Sequence, residues 1–345
     1  MSRPSDLLPS FGTTGIGSLP HTQLELGLQM ALQVDIPFCP QLPVGHPTEL
    51  MIAEALEGLP GLSVDGEGGC AVDLGAWESS SAAFGTSVEG ALSSGDLSRW
   101  EPTPQACRAW KPFLWEVEHR KLALAKAQLA GPATVRWVAR TSAGEPAADV
   151  AALDQQIFRL VLARFLARAG AIRRAGATPV IFIDEPGLYA LDRKDVRHVA
   201  VLQELKVLVI ALQREGAIVG LHCCSNTDWP ALLELGLDLV SVDARLSLDA
   251  LLDDAKALDR YLAEGGRLSL GVIPTDVSST YEVEVLTDSI DASLRAALEG
   301  RYEAVAARCL LTPACGLAMR SVLDAERIFQ QLRDAQRSLR TFAEA

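Results

Sequence analysis

A (β/α)₈ barrel is the architecture this sequence predicts, and three observations predict it. Eight short apolar runs succeed one another along the chain, at 13–17, 36–39, 133–138, 178–184, 217–222, 237–243, 268–273 and 309–314. Most of them are followed by ten or more residues with helical spacing of apolar positions, the alternation that builds a parallel sheet covered by helices. The polar and sulfur-bearing residues gather at the carboxyl ends of the runs, where a barrel of this kind opens its mouth. An open, doubly wound sheet would be expected to carry a glycine-rich dinucleotide turn after its first strand, and Gly15-Ile16-Gly17-Ser18-Leu19-Pro20 does not complete that pattern.

Taken in order, the first run ends at Ser18 and the second at Cys39. The interval 49–129 is too long for one crossover and is rich in Gly and Ser through 61–95, so it reads as a helix, a loop or hairpin excursion, and then a helix over 110–129. The third strand follows at 133–138. Helices over 153–175 and 196–215 end before Gly176 and Gly216, both natural C-terminal caps, and the strands 178–184 and 217–222 follow directly. There is no internal repeat and no low-complexity linker, so the expectation is a single α/β domain over 1–345, with the insertion placed after its second strand.

The composition narrows the function classes. With 49% hydrophobic and 22% charged residues the chain can bury a large core. Its 31 basic against 44 acidic residues give a net charge of −13, and no Lys/Arg-rich run follows a phosphate backbone, which argues against a nucleic-acid partner. No apolar stretch is long enough to span a bilayer and the first residues lack a signal-peptide core, so the expected setting is cytoplasmic, without a membrane partner. Seven cysteines, an odd number scattered without paired spacing, argue against a disulfide framework and leave reduced thiols able to bind metal.

The most informative stretch is His222-Cys223-Cys224, which closes the apolar run 217–222. If the strand continues to Cys224, its period of two puts His222 and Cys224 on one face and turns Cys223 to the other. The barrel ends would bring Ser18, Asp184, Glu185, Asp243 and Cys315 to the same rim, so a zinc site of His222, Cys224, Asp243 and Cys315 is the sharp hypothesis. Each member also has a plainer reading: His222 as a satisfied core histidine, Asp243 as a helix N-cap, and Cys39, Cys70, Cys107, Cys223 and Cys309 as small buried hydrophobes. Because Asp184 and Glu185 are adjacent on a strand, at most one of them faces the mouth.

Five stretches together resemble one family: Gly15-Ile16-Gly17-Ser18, Gly131-Pro132-Ala133-Thr134, Ile183-Asp184-Glu185-Pro186-Gly187-Leu188, His222-Cys223-Cys224 and Pro313-Ala314-Cys315-Gly316-Leu317. They are similar to the catalytic barrel of cobalamin-independent methionine synthase, in the superfamily that also includes uroporphyrinogen decarboxylase and corrinoid-linked methyltransferases. The resemblance implies a Zn²⁺ ion held by His222, Cys224, Asp243 and Cys315, with Asp243 in place of a longer glutamate. It implies transfer of a methyl group to the thiol of homocysteine, whose carboxylate would rest on Ile16, Gly17 and Ser18 and whose ammonium on Asp184, with Glu49 standing in for a loop glutamate.

The family's folate-binding elements are mostly unmatched: Trp137 is offset by one place, and the histidine that protonates the leaving nitrogen falls near Thr275-Asp276, which makes Asp276 the candidate acid. A reduced cobalt centre needs no such acid to depart. The expected donor is therefore a methylcorrinoid, as methylcobalamin or on a corrinoid protein, in place of methyltetrahydrofolate. A uroporphyrinogen-decarboxylase-like lyase and a non-catalytic barrel that holds zinc or a ligand remain the alternative readings.

Overall fold

The computed structural model describes residues 3–276 and 283–344. Its strands are β1 (Gly12–Thr13), β2 (Leu62–Val64), β3 (Cys70–Val72), β4 (Leu124–Ala130), β5 (Arg140–Thr141), β6 (Thr178–Asp184), β7 (Ile218–Cys223), β8 (Leu239–Asp243), β9 (Arg267–Ile273) and β10 (Leu310–Pro313). Seven of them form one curled parallel sheet in the order β1-β10-β9-β8-β7-β6-β4, with helices around it, and β2, β3 and β5 form a small separate sheet. Apart from Thr178 at the start of β6, every strand of the large sheet from β4 to β10 is buried along its whole length, which explains why the runs read as apolar without alternation.

The sheet separates two hydrophobic clusters. An inner one takes two side chains from β6, Val180 and Phe182, and one from each of several other strands, Leu124, Ile218, Leu239 and Leu310, with Leu8 and Ile36. The large outer one packs the opposite strand faces, Ile181, Ile183, Val219, Leu221, Val240 and Val242, against the helices. The inner positions therefore follow a period of two, and continuing it up β6, β7 and β8 carries Asp184, His222 and Asp243 to the carboxyl end of the sheet.

Several elements differ from the sequence reading, beginning with the first strand, which is Gly12–Thr13 and stops short of 14–17. The run 133–138 is a helix, Pro132–Val138, and the strand is β4, inside the segment read as the end of helix 110–129; that helix stops at His119. Alanine-rich Leu124–Ala130 has high helical propensity, and Lys126 and Gln128 break its apolar run, yet all seven residues are buried in the sheet, so tertiary burial overrides propensity. The missed signal was Gly131-Pro132, with proline at a first helical position where its absent N–H costs nothing.

The run 36–39 forms no regular strand. Pro37 and Pro40 cannot donate to a ladder, so the segment 36–41 makes isolated bridges, to Lys126 through Phe38 and to Ser18 through Gln41. Its hydrogen bonds reach both edges of the sheet. Ile36 N–H donates to Thr13 O at 3.0 Å and Gln41 N–H to Gly17 O at 3.1 Å on the β1 side; Lys126 N–H donates to Pro37 O at 2.7 Å and Cys39 N–H to Lys126 O at 2.9 Å on the β4 side.

The interval after this segment holds the helix Met51–Leu56, the β2–β3 hairpin and the helices Leu74–Ser94 and Trp110–His119. The helices Ala151–Arg174 and Val196–Arg214 run as expected, followed by Gly176 and Gly216 with φ of 94° and 79°, a left-handed conformation that favours glycine. No helix among the described residues is long and apolar enough to cross a membrane.

Candidate functional site

Strand β7 delivers His222 at an inward position and Cys223 at an outward one. Cys223 is fully buried, its Sγ 3.3 Å from Ser225 O, and burial pushes its thiol up to about 12. On the inward side the ligand atoms of His222, Cys224 and Cys315 all lie within 4.8 Å of one another. Cys224, the member of the pair that the strand phase selects, is the one that lies in this cluster, and Cys315 arrives from the loop after β10.

The donor set has the character of a metal site. His222 Nδ1 lies 3.0 Å from the Ser241 hydroxyl on the neighbouring strand β8, while its Nε2 is buried without a partner. A partner on Nδ1 fixes ring orientation and leaves Nε2 for a ligand, the arrangement that supports ligating histidines. A hydrogen bond from Cys315, aided by the nearness of the His222 imidazole, outweighs burial and brings the Cys224 thiol down to about 4, while the same Cys224 contact drives Cys315 upward. Two thiols and one imidazole suit a borderline-soft ion such as Zn²⁺.

Asp243 is not drawn into this cluster. Its Oδ1 accepts the N–H groups of Arg245 (3.0 Å) and Leu246 (3.2 Å), so it serves as the N-cap of the helix Ala244–Leu252. That is the plainer of its two readings, and its physical reason is the orphan donors of the helix's first turn.

Beside the three donors opens a cleft of about 260 Å³, lined among others by Ile16, Ser18, Glu49 and Asp184. Its volume lies near the small end for ligand sites and suits a molecule of amino-acid size. Asp184 is buried, its Oδ1 has no partner, and burial pushes its carboxyl up to about 6 against the opposing pull of Lys126 and His222. Glu185 faces away, as the alternation requires. Its Oε1 accepts Ala133 N–H at 2.9 Å and its Oε2 accepts Thr134 N–H at 2.7 Å and the Thr134 hydroxyl at 2.6 Å, which ties the start of the helix Pro132–Val138 to β6.

Gly17 lies between Ile16 and Ser18 against β4, where a Cβ would come within 2.6 Å of the Gln128 side chain. The Ser18 carbonyl accepts Leu317 N–H at 2.8 Å and its hydroxyl accepts Ala318 N–H at 3.4 Å, so this segment is tied to the loop that carries Cys315. Glu49 is buried with its carboxylate engaged: Leu42 N–H donates to it at 3.0 Å and Arg108 Nε at 2.5 Å. Asp276 is ion-paired with Arg245 at 2.6 Å, its side chain 57% exposed, and is not among the residues that line the cleft.

Sequence reasoning missed Lys126, Gln128, Ser241 and Arg108. Lys126 is completely buried inside the sheet; its ammonium donates to Ile16 O at 2.6 Å and Gln128 Oε1 at 3.0 Å and lies 4.8 Å from the centre of the Phe182 ring. Burial brings it down to about 8, with Asp184 holding it up. The spacing of Lys126 and Gln128 by two would have exposed both, had 124–130 been read as a strand.

The sequence matches no model of a known protein family and no functionally curated protein. Among solved structures the chain is similar to a methyltransferase from Methanosarcina mazei, with 18% identity, a TM-score of 0.51, and coverage of 95% of this chain and 93% of that one. At that identity the likeness establishes a shared fold across nearly the whole chain.

Proposed function

We propose that the chain is a zinc-dependent methyltransferase that methylates a small thiol, with homocysteine as the acceptor and methionine as the product. The observation that carries this reading is the convergence of His222 Nε2, buried and unpartnered, with Cys224 and Cys315 at the wall of a cleft of amino-acid size. The fold is read as a (β/α)₈ barrel whose second strand is the proline-interrupted segment 36–41, hydrogen-bonded to both edges of the seven-stranded sheet. The similarity to a methyltransferase and the resemblance to the methionine synthase barrel both agree with it.

His222, Cys224 and Cys315 would hold the ion, and with Asp243 Oδ1 engaged as a helix cap the fourth position would be left for substrate, as catalytic zinc sites require. Bound there, Zn²⁺ supplies a Lewis acid that favours the thiolate form of a thiol at neutral pH. The residues of the chain do the positioning. Asp184, with one carboxylate oxygen free, takes the substrate's ammonium; the Ile16–Gly17–Ser18 backbone and the Ser18 hydroxyl take its carboxylate. Two oppositely charged anchors fix the reach of the sulfur and remove orientational freedom before the reaction. Glu49 shapes the wall and is not a charged anchor, because Arg108 already neutralises it.

The donor is read as a methylcorrinoid. A pterin nitrogen needs a proton to leave, and the candidate acid Asp276 is ion-paired with Arg245 away from the cleft lining. The test is to load the purified protein with Zn²⁺ and to compare methionine formation from homocysteine with methylcobalamin and with methyltetrahydrofolate. Turnover with the corrinoid and little with the folate is expected. A preference for the folate refutes the donor, and no turnover with either, together with no homocysteine binding, refutes the acceptor.

A further inference from the structure

We infer that Lys126 is a positioning residue of this site: its buried ammonium sets the peptide at Ile16–Gly17 and the amide of Gln128, and so holds the carboxylate cradle in place. The inference rests on the reading of the cleft as a thiol amino-acid site. A fully buried ammonium is a costly choice for a position that Leu or Met could fill, so its contacts should explain it. They do so at the one place where the sheet lacks a regular ladder.

Lys126 stands on β4, at the seam between the two sheet edges, where only the segment 36–41 intervenes. Its Nζ donates to Ile16 O at 2.6 Å and to Gln128 Oε1 at 3.0 Å. The peptide that follows Ile16 is planar and trans, so a carbonyl held at Lys126 fixes the Gly17 N–H in the opposite direction. The second contact fixes the Gln128 amide with its oxygen towards Lys126 and its Nε2 towards Cys39 O, 2.9 Å away. That same amide lies under Gly17, which has no room for a side chain above it. One ammonium therefore orders three segments, 13–18, 36–41 and β4, two of which supply residues to the cleft. Its charge also lies near enough to Asp184 to act on that carboxylate across the cleft floor.

The experiment compares the wild type with Lys126→Met, which keeps the volume, and Lys126→Gln, which keeps a donor for the Ile16 carbonyl. Two measurements are made: amide hydrogen exchange of peptides spanning 13–19 and 36–42, and titration of the Co²⁺-loaded protein with L-homocysteine, followed through the metal's absorption bands. In Lys126→Met, Co²⁺ binding and the bands of the ligand-free site should be unchanged, because no metal donor is altered. Exchange in 13–19 should speed up by about tenfold or more, and homocysteine affinity should fall by a similar factor, the usual effect of losing a charged hydrogen-bond donor. Lys126→Gln should recover part of both.

Unchanged exchange in 13–19, or an unchanged homocysteine affinity, overturns the inference. So do Lys126→Gln and Lys126→Met behaving identically, or loss of the Co²⁺ bands along with affinity, since both mark a general packing role. If the wild-type bands do not respond to homocysteine, the proposed acceptor fails, and the exchange measurement alone decides the role of Lys126. Should Lys126→Met fail to fold, Gln128→Leu removes the second acceptor and is read by the same criteria.

Discussion

The two halves of the site are held by different means. On one arc, β6, β7 and β8 run in register: Asp184 opposite His222 and His222 opposite Ser241, so backbone ladders set where each side chain points. On the other, between β1 and β4, prolines interrupt the pairing and the geometry comes from side chains, with Lys126 and Gln128 reaching to Ile16 and Cys39. In the proposed function the first arrangement carries His222 and Cys224, with Cys315 joining them from the loop after β10, and the second carries the cradle for the substrate's carboxylate. A ladder is robust to single substitutions outside the donors, whereas a side-chain scaffold should be sensitive to each of its members. The comparison can be broken by finding the seam as tolerant as the ladder.

The largest effect is expected at the three-donor cluster, where the ladder's His222 and Cys224 meet Cys315 from the loop after β10. Cys224→Ser or Cys315→Ser should weaken zinc binding by roughly 10²- to 10³-fold and abolish methyl transfer, because a thiolate ligand is lost from a three-donor site. Cys223→Ser should leave metal content unchanged, since its side chain points to the outer face. Metal analysis of the purified variants decides it. Equal loss in Cys223→Ser would mean that the strand phase does not govern the donors.

The same contrast explains what could be read from the sequence. His222 and the buried strands that carry it and Asp184 follow a period of two, so spacing sets Cys223 apart from His222 and Cys224 and says that only one of Asp184 and Glu185 faces inward, while the choice of Asp184 comes from the resemblance. Cys315 came from resemblance and from its place after a strand. At the seam the periodicity failed: Leu124–Ala130 has helical composition, Pro132–Val138 has strand-like composition, and the two were exchanged. Lys126 and Gln128, which the seam depends on, were hidden by that exchange. Asp243 carries two readings in the sequence, ligand and helix N-cap, because a strand end and a helix start coincide there; the structure shows its Oδ1 engaged as the cap.

A second effect, intermediate in size, concerns Glu185, which joins the two regions through Thr134. Burial raises its carboxyl from the ordinary 4.5 to about 7 despite three hydrogen bonds. A carboxyl raised on folding gives stability that is present below pH 4.5 and lost as pH rises to about 7, because the unfolded chain ionises first. The loss is at most roughly 3 kcal/mol. Glu185→Gln should therefore lower stability at pH 5 more than at pH 8. Denaturant unfolding at both values tests this, and a difference that is independent of pH would show that Glu185 is ionised throughout.

On the seam side, Gly17→Ala should cost about 1–3 kcal/mol of stability and weaken homocysteine binding, because its Cβ meets the Gln128 side chain, which Lys126 and Cys39 O hold in place. Gly220→Ala, on the ladder, meets the Phe182 ring at 2.8 Å and should cost a similar stability without affecting homocysteine affinity. The pair separates strain from function: if both lose affinity equally, the cradle is no more sensitive than the core.

The smallest effect, and the finest test of the comparison, is Ser241→Ala. Ser241 is a neighbour of His222 on the next strand, with its hydroxyl 3.0 Å from Nδ1, and it is completely buried. Removing it leaves the ladder intact and takes away only the partner that fixes the ring. Changes of this kind commonly cost 10- to 100-fold in metal affinity. Here the lower figure is expected, because register already places the imidazole and the two thiols dominate the binding. Competition with a chelator measures it: a loss of about tenfold supports a ladder-held donor, while a loss near that of Cys224→Ser would mean that the histidine depends on side-chain support as heavily as the seam does.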